Sequence, residues 1–271
     1  MLMKKIFLLI AYVLITQINY AQKTADDYFN SAKSKADLKD HYSAILDYSK
    51  AIKINPAYEK AYMGRGRAKA EVKDYYGAIS DFSKVIELNP TYSEAYVDRG
   101  NVKRKLEDYT GALSDYNKVI EINPEYSEAY VDRGNVKRKL EDYYGAISDY
   151  SLAIEINPEY SEAYVDRGNA KSYLDDYSGA ISDYSQAIEI NPEYADAYDD
   201  RGWAKYKSKD YSGAISDYSK VIEINPTYAK AYFGRGFIKY YLKDYSGACK
   251  DARKAQALGY DTSGFIKKVC K

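Results

Sequence analysis

The chain has 271 residues, with 40 basic and 40 acidic side chains and no net charge. That balance argues against nucleic acid as the main partner, because phosphate binding needs a net basic surface or stripe. With 46% apolar and 30% charged residues, the composition fits a folded, soluble chain and not a disordered one.

At the N-terminus Lys4 and Lys5 precede an apolar run from Ile6 to Ile15, and a polar stretch leads to the small residue Ala21. Basic start, short apolar core and small residue before a cut form the layout of a secretory signal. Cleavage after Ala21 makes residues 1–21 the signal peptide. The rival is an uncleaved anchor, but the apolar run falls short of the roughly 18–20 residues that span a bilayer. The expectation is an exported chain, periplasmic or extracellular, with no membrane span after cleavage.

From there Ile-Asn-Pro or Leu-Asn-Pro recurs six times, with prolines at Pro56, Pro90, Pro124, Pro158, Pro192 and Pro226, always 34 residues apart. A fixed period of this length marks a stack of similar units, each contacting its neighbours. The period also explains the 34 tyrosines. Twenty-four of them fall at four repeat positions, exemplified by Tyr96, Tyr109, Tyr116 and Tyr126. These read as packing, so the remaining tyrosines are the contact candidates.

Within residues 93–126, apolar and small residues at helical spacing predict one helix from Glu94 to Leu106 and a second from Gly111 to Ile122. Glu107, Asp108 and Tyr109 make the turn between them. Asn123-Pro124 stops the second helix, since proline cannot continue it. Gly100 inside the first helix costs about 1 kcal/mol against alanine, so it implies a close helix crossing, with Ala112 opposite.

The pattern Tyr96-x2-Arg99-Gly100-x2-Lys103, Ala112-x3-Tyr116, Pro124 resembles the tetratricopeptide repeat family. The same frame gives units 25–58, 59–92, 93–126, 127–160, 161–194, 195–228 and 229–262 within an array from 22 to 262, closed by a capping helix at 263–271. The resemblance implies an all-α fold: a solenoid of seven helix-turn-helix repeats in a right-handed superhelix, with first helices lining a concave groove that holds peptides or proteins.

Two departures from the family pattern are systematic. Arg stands for Leu at Arg65, Arg99, Arg133, Arg167, Arg201 and Arg235. Lys stands for Tyr at Lys69, Lys103, Lys137 and their counterparts. Asp81, Asp115, Asp149 and their counterparts repeat in the second helices. A charge repeated this faithfully inside a hairpin needs an internal partner, which predicts Arg–Asp pairing such as Arg99 with Asp115. At the C-terminal end Phe265, Ile266 and Val269 share a helical face that suits a cap. The only two cysteines, Cys249 and Cys270, fall at about the same level if their helices run antiparallel. Oxidation outside the cytoplasm would join them; two free thiols are the alternative.

Groove-facing positions implied by the family frame are Glu94, Val97, Asp98, Asn101, Arg104 and Lys105 in the third unit, and Glu128, Val131, Asp132, Asn135, Arg138 and Lys139 in the fourth. These two units differ at five positions, all in or near the second helix. Later units offer Asp166, Asn169, Ser172 and Tyr173, then Asp199, Asp200, Trp203 and Tyr206, then Phe233, Phe237, Tyr240 and Tyr241. The predicted groove thus passes from charged to aromatic, and aromatic side chains are the usual interface anchors. Trp203, the only tryptophan, replaces Asn at its repeat position.

No enzyme site emerges. His41 is the only histidine and falls at a turn, and no metal-ligand or phosphate-cradling motif is present in the sequence. No cofactor is expected. The reading is a non-enzymatic scaffold holding a protein or peptide in the groove. The alternative is glycan or cell-wall binding through the aromatic end.

Overall fold

A computed structural model describes residues 23–270. The expected signal segment, 1–21 with its cut after Ala21, lies outside the described residues, as does Lys271. Every described regular element is an α-helix, fifteen in all. The chain forms two compact units, one ending at Asp115 and one starting at Tyr116.

The first unit contains α1 (Ala25–Asp37), α2 (His41–Ile54), α3 (Glu59–Glu71), α4 (Tyr75–Leu88), α5 (Ser93–Lys105) and the first half of α6 (Tyr109–Ile122). The second contains the rest of α6, then α7 (Ser127–Lys139), α8 (Tyr143–Ile156), α9 (Ser161–Tyr173), α10 (Tyr177–Ile190), α11 (Ala195–Lys207), α12 (Tyr211–Ile224), α13 (Ala229–Tyr241), α14 (Tyr245–Ala257) and α15 (Ser263–Val269). Within each unit consecutive helices pack as hairpins. Alanines at the crossings, such as Ala44, Ala78, Ala146 and Ala214, are fully buried. No described helix is long and apolar enough to cross a membrane.

The turn inside each hairpin starts its second helix two residues earlier than the sequence pattern suggests. Tyr109 is helical and not part of the turn. The cause is the preceding aspartate, an N-cap that satisfies an orphan backbone donor of the first turn. Asp108 accepts from Gly111 N at 2.9 Å, and Asp142 accepts from Gly145 N at 2.9 Å. Just before it, the chain reverses through a left-handed residue, Glu107 at φ 60° or Glu141 at φ 61°. Backbone bonds Glu141 N–Arg138 O and Asp142 N–Lys137 O, 3.1 and 2.9 Å, close the first helix in a Schellman-type cap. Each hairpin therefore tolerates a non-glycine in a conformation that costs on the order of 1 kcal/mol.

The second helices end at the Asn-Pro pairs. Proline forbids continuation, and the asparagine side chain accepts from the backbone two residues on, as in Glu159 N–Asn157 Oδ1 at 3.2 Å.

The charged substitutions that set this chain apart from the family pattern are internal. Arg133 Nε and Nη2 donate to the two oxygens of Asp149 at 3.0 and 2.6 Å, while Nη1 reaches Asn117 Oδ1 at 2.7 Å. Lys137 Nζ lies 2.8 Å from the same carboxylate. Arg65, Arg99, Arg167, Arg201 and Arg235 repeat the fork to Asp81, Asp115, Asp183, Asp217 and Asp251. The expected pairing of Arg99 with Asp115 is present, at 2.6 and 3.1 Å. Each arginine also lies over the preceding tyrosine, such as Arg133 over Tyr130 at 5.5 Å. In the first hairpin Ser31 and Lys35 replace the fork on Asp47. There the lysines and serine hold the carboxyl below its usual range although burial opposes them. Desolvation of a buried, doubly paired carboxylate offsets much of the attraction, so the fork adds less stability than its contacts suggest.

The aromatic positions pack as the period implies. Tyr150 and Tyr184 are buried against Gly134 and Gly168, where an added Cβ would meet the ring at 2.7 Å in each case. At the far end α15 covers α14. Val269 is buried beside Ala248 and Ala252, and Thr262 Oγ1 donates to Ala252 O at 2.9 Å. Cys249 and Cys270 are paired there, with Cα atoms 5.0 Å apart.

Candidate functional site

The sequence-selected positions separate into three groups in the structure. Those of α5 stay within the first unit. Val97 is half-buried, Asp98 Oδ2 receives Arg67 Nε at 2.5 Å, and Asn101 Oδ1 receives Arg104 Nη2 at 3.3 Å, while Lys105 is exposed. Those of α7 belong to the second unit. Asp132 is half-buried, Lys139 is exposed, and Asn135 and Arg138 are engaged with each other. None of these lines the two clefts described next.

The third group makes two adjoining clefts in the second unit. The first, about 320 Å³, is lined by Asn169, Ser172 and Tyr173 of α9, Tyr184 of α10, Asp200 and Trp203 of α11, and Lys230 of α13. The second, about 250 Å³, shares Trp203 and Lys230 and adds Tyr206, Phe233, Phe237 and Tyr260 among its walls. Trp203 is 44% exposed, rests edge-on against Tyr177, and has the Lys207 ammonium 5.2 Å from its ring. Tyr173 stacks on Tyr143 with centroids 5.1 Å apart and still leaves most of its surface free.

The aromatic end divides between cleft and cap. Phe233 and Phe237 line the second cleft and also touch Phe265 of α15. Tyr240 packs on Phe265 and Tyr245, under the Lys268 ammonium at 4.8 Å. Tyr241 packs on Tyr211. Tyr240 and Tyr241 line neither cleft, because the terminal helix and the preceding hairpin claim their faces.

Electrostatics concentrate on α11. Asp199 stands where the other units carry Met63, Val97, Val131, Val165 and Phe233, and it is as buried as those apolar residues would suggest, at 2% exposure. Lys230 Nζ meets its Oδ2 at 2.6 Å, and its other oxygen has no hydrogen-bond partner. Burial and the neighbouring Asp199 charge push Asp200 up to about 6, with Lys230 and Asn169 opposing. Burial likewise raises Asp199 and Asp166. The sequence reading did not name Tyr184, Tyr260 or Lys230, whereas Ser172 stood among its groove positions and lines the first cleft. Lys230 carried a usable signal: Glu94, Glu128, Glu162 and Asp196 hold its repeat position in the four preceding units, so its charge is reversed.

The first unit has a cleft of its own, about 370 Å³, with Phe29, Lys33, His41, Tyr48, Met63 and Arg67 among its walls. His41 is the first residue of α2, and its Nδ1 is buried without a partner. Among the described residues no group of His, Cys, Asp and Glu is arranged to hold a metal ion.

No curated protein sequence matches the chain. Among solved structures, the C-terminal part of a TPR repeat-containing protein from Cytophaga hutchinsonii superposes with a TM-score of 0.76 at 18% identity, covering 90% of this chain and 99% of that one. A tetratricopeptide repeat protein from Parabacteroides merdae gives 0.67 at 21%, covering 90% and 96%. YrrB, described as a TPR protein with an unusual peptide-binding site, gives 0.56 at 25%, covering 68% and 95%. Tetratricopeptide repeat models match residues 28–58, 59–92, 93–126, 127–160 and 161–194, and a TPR repeat model matches 202–243. These matches fall on the helix pairs and their Asn-Pro stops, so the chain belongs to the tetratricopeptide repeat family.

Proposed function

We propose that this protein is a non-catalytic scaffold that binds a protein or peptide through the second unit, outside the cytoplasm. The observation that carries the reading is the pair of adjoining clefts meeting at Trp203, an exposed aromatic set among polar groups. Such a mixture of one rigid aromatic anchor and a few convergent polar side chains suits recognition of an extended segment. The repeat positions offer their charges to one another, so the residues that break the period are the ones free to select a partner. The likeness to YrrB, whose described property is a peptide-binding site, supports the same class.

Export rests on the basic and apolar N-terminal pattern, and the Cys249–Cys270 pair suits an oxidising compartment. Peptide selection on the chain from Gln22 onward, repeated with Trp203→Ala, tests the binding site. Selected peptides should lose affinity for the variant. Equal affinity would remove Trp203 from the site. Retention of the chain by purified wall polysaccharide, with no peptide selected, would favour the glycan reading.

A further inference from the structure

The cleft beside Trp203 has an internal counterpart one repeat earlier, and that counterpart is filled by an arginine. In the preceding unit, Arg138 Nη2 donates to Asn135 Oδ1 at 3.2 Å, its Nε donates to Tyr150 Oη at 3.4 Å, and its Nη2 lies 3.7 Å from Asp166 Oδ1. Tyr150 Oη in turn donates to Asn135 at 3.0 Å, and Asn135 also bonds Asp166. An Asn, a Tyr and an Asp thus surround one guanidinium.

Thirty-four residues on, the three acceptors recur as Asn169, Tyr184 and Asp200, and the arginine becomes Ser172. All four line the same cleft of about 320 Å³. Tyr184 Oη donates to Asn169 Oδ1 at 2.8 Å, as in the copy before it. Ser172 Oγ is buried, and the Tyr184 hydroxyl is the neighbour placed to bond it. Asp200 has no lysine or arginine within ion-pair distance among the described residues, whereas Asp98 has Arg67 and Asp166 has Arg138. Lys230, the cation whose charge acts on Asp200, is bound to Asp199 instead. Over the same step of 34 residues Asn169 is succeeded by Trp203, which lines the cleft.

Resting on the binding reading above, we infer that this cleft takes an arginine side chain of the partner peptide. Its guanidinium lies between Asn169, Tyr184 and Asp200, in the place that Arg138 occupies in the preceding unit. Asp200 supplies the charge, Asn169 and Tyr184 the flanking oxygens, Ser172 an additional acceptor, and Trp203 covers the alkyl stem. An aromatic or aliphatic neighbour of that arginine enters the adjoining cleft between Phe233 and Phe237.

Trp203 is the only tryptophan, so its selectively excited emission reads the cleft directly. The test titrates the chain from Gln22 onward, which holds every described residue, with a blocked peptide Gly-Ser-Phe-Arg-Tyr-Gly. The twin peptide carries citrulline, a neutral isostere, in place of arginine. The arginine peptide should change the emission saturably and bind at least about tenfold more tightly than its twin, the usual scale for one buried charge pair. Asp200→Asn should erase the difference between the two peptides. Ser172→Arg should fill the cleft from within and abolish binding while the helical circular dichroism is kept. Equal affinity for the two peptides, no saturable response to the arginine peptide, or undiminished binding by folded Ser172→Arg would each overturn the assignment. Should Ser172→Arg not fold, the Asp200→Asn comparison decides alone. Equal binding of the twins would leave peptide binding itself standing, whereas failure of all selected peptides to sense Trp203 would bring down the binding site first.

Discussion

Arg133 and Asp149 meet through two contacts, Nε–Oδ2 at 3.0 Å and Nη2–Oδ1 at 2.6 Å, with Asp149 only 1% exposed. Sixteen positions separate them, which places one on the first helix of a hairpin and one on the second. Removing the carboxylate alone leaves two half-buried cations, Arg133 and Lys137, without their shared partner. Asp149→Ala should therefore cost about 3–5 kcal/mol in urea unfolding. Adding Arg133→Leu, the residue the family pattern has there, should recover part of that loss. Strict additivity of the two changes in a double-mutant cycle would show that the fork carries no coupling.

The close approach of Gly134 to Tyr150 gives a second test. A Cβ at Gly134 would sit 2.7 Å from the buried ring, whereas one at Gly202 would meet nothing nearer than 3.4 Å, because Tyr218 leans toward Gly234 instead. Gly134→Ala should destabilise by about 1–3 kcal/mol through overpacking. Gly202→Ala should be neutral or stabilising by up to about 1 kcal/mol, the helix-propensity gain. Equal effects in thermal unfolding would mean that the two crossings are not distinguished by tyrosine placement.

The fold was legible because its signals repeat. The Asn-Pro stops, the glycine crossings and the charge pattern each recur in most copies, so errors in one unit are corrected by the others. The helix start at Tyr109 was not legible from apolar spacing, since the aspartate cap decides it and the tyrosine itself looks like a turn residue. The candidate site was partly legible. Asn169, Asp200, Trp203 and Phe237 stand out by position or by departure from the period, and they do meet at adjoining clefts. Tyr240 and Tyr241 also depart from it, but their departure serves the cap and a neighbouring hairpin. Lys230 was missed although its repeat position, held by Glu94 and Glu128, belongs to the expected groove face and its reversed charge marks it.

Asp200 should show itself in the pH dependence of stability. Its folded pKa is about 6, raised by burial and by Asp199, against an ordinary 3.8. The folded state therefore favours the protonated acid. The group's stabilising contribution is complete below about pH 4 and lost as pH rises through about 6. Asp196 and Asp199 reinforce this direction, and Lys230 and Asn169 oppose it. Asp200→Asn should be more stable than the parent at pH 7 by on the order of 2 kcal/mol, with the gap closing toward pH 4. A gap independent of pH would mean that Asp200 titrates normally.

Reduction should act locally. Cys249 and Cys270 tie α14 to α15 across 21 residues of sequence, a loop whose closure is worth about 3 kcal/mol in the chain-entropy model. Cys270→Ser, or reductant, should raise hydrogen exchange and proteolysis in α15 and leave α7 to α10 unchanged. Uniform loosening of the second unit would show that the cap supports more than the last hairpin.

The central claim is that recognition resides in residues that escape the 34-residue repetition, with Trp203 foremost. The most direct measurement is the affinity of one selected peptide for the parent chain, for Trp203→Ala, and for Tyr144→Ala at an exposed position that lines neither cleft. The account predicts a loss of at least about tenfold for Trp203→Ala, as expected of an aromatic anchor, and no change for Tyr144→Ala. Unchanged affinity for Trp203→Ala, with its helical signal intact, would contradict it.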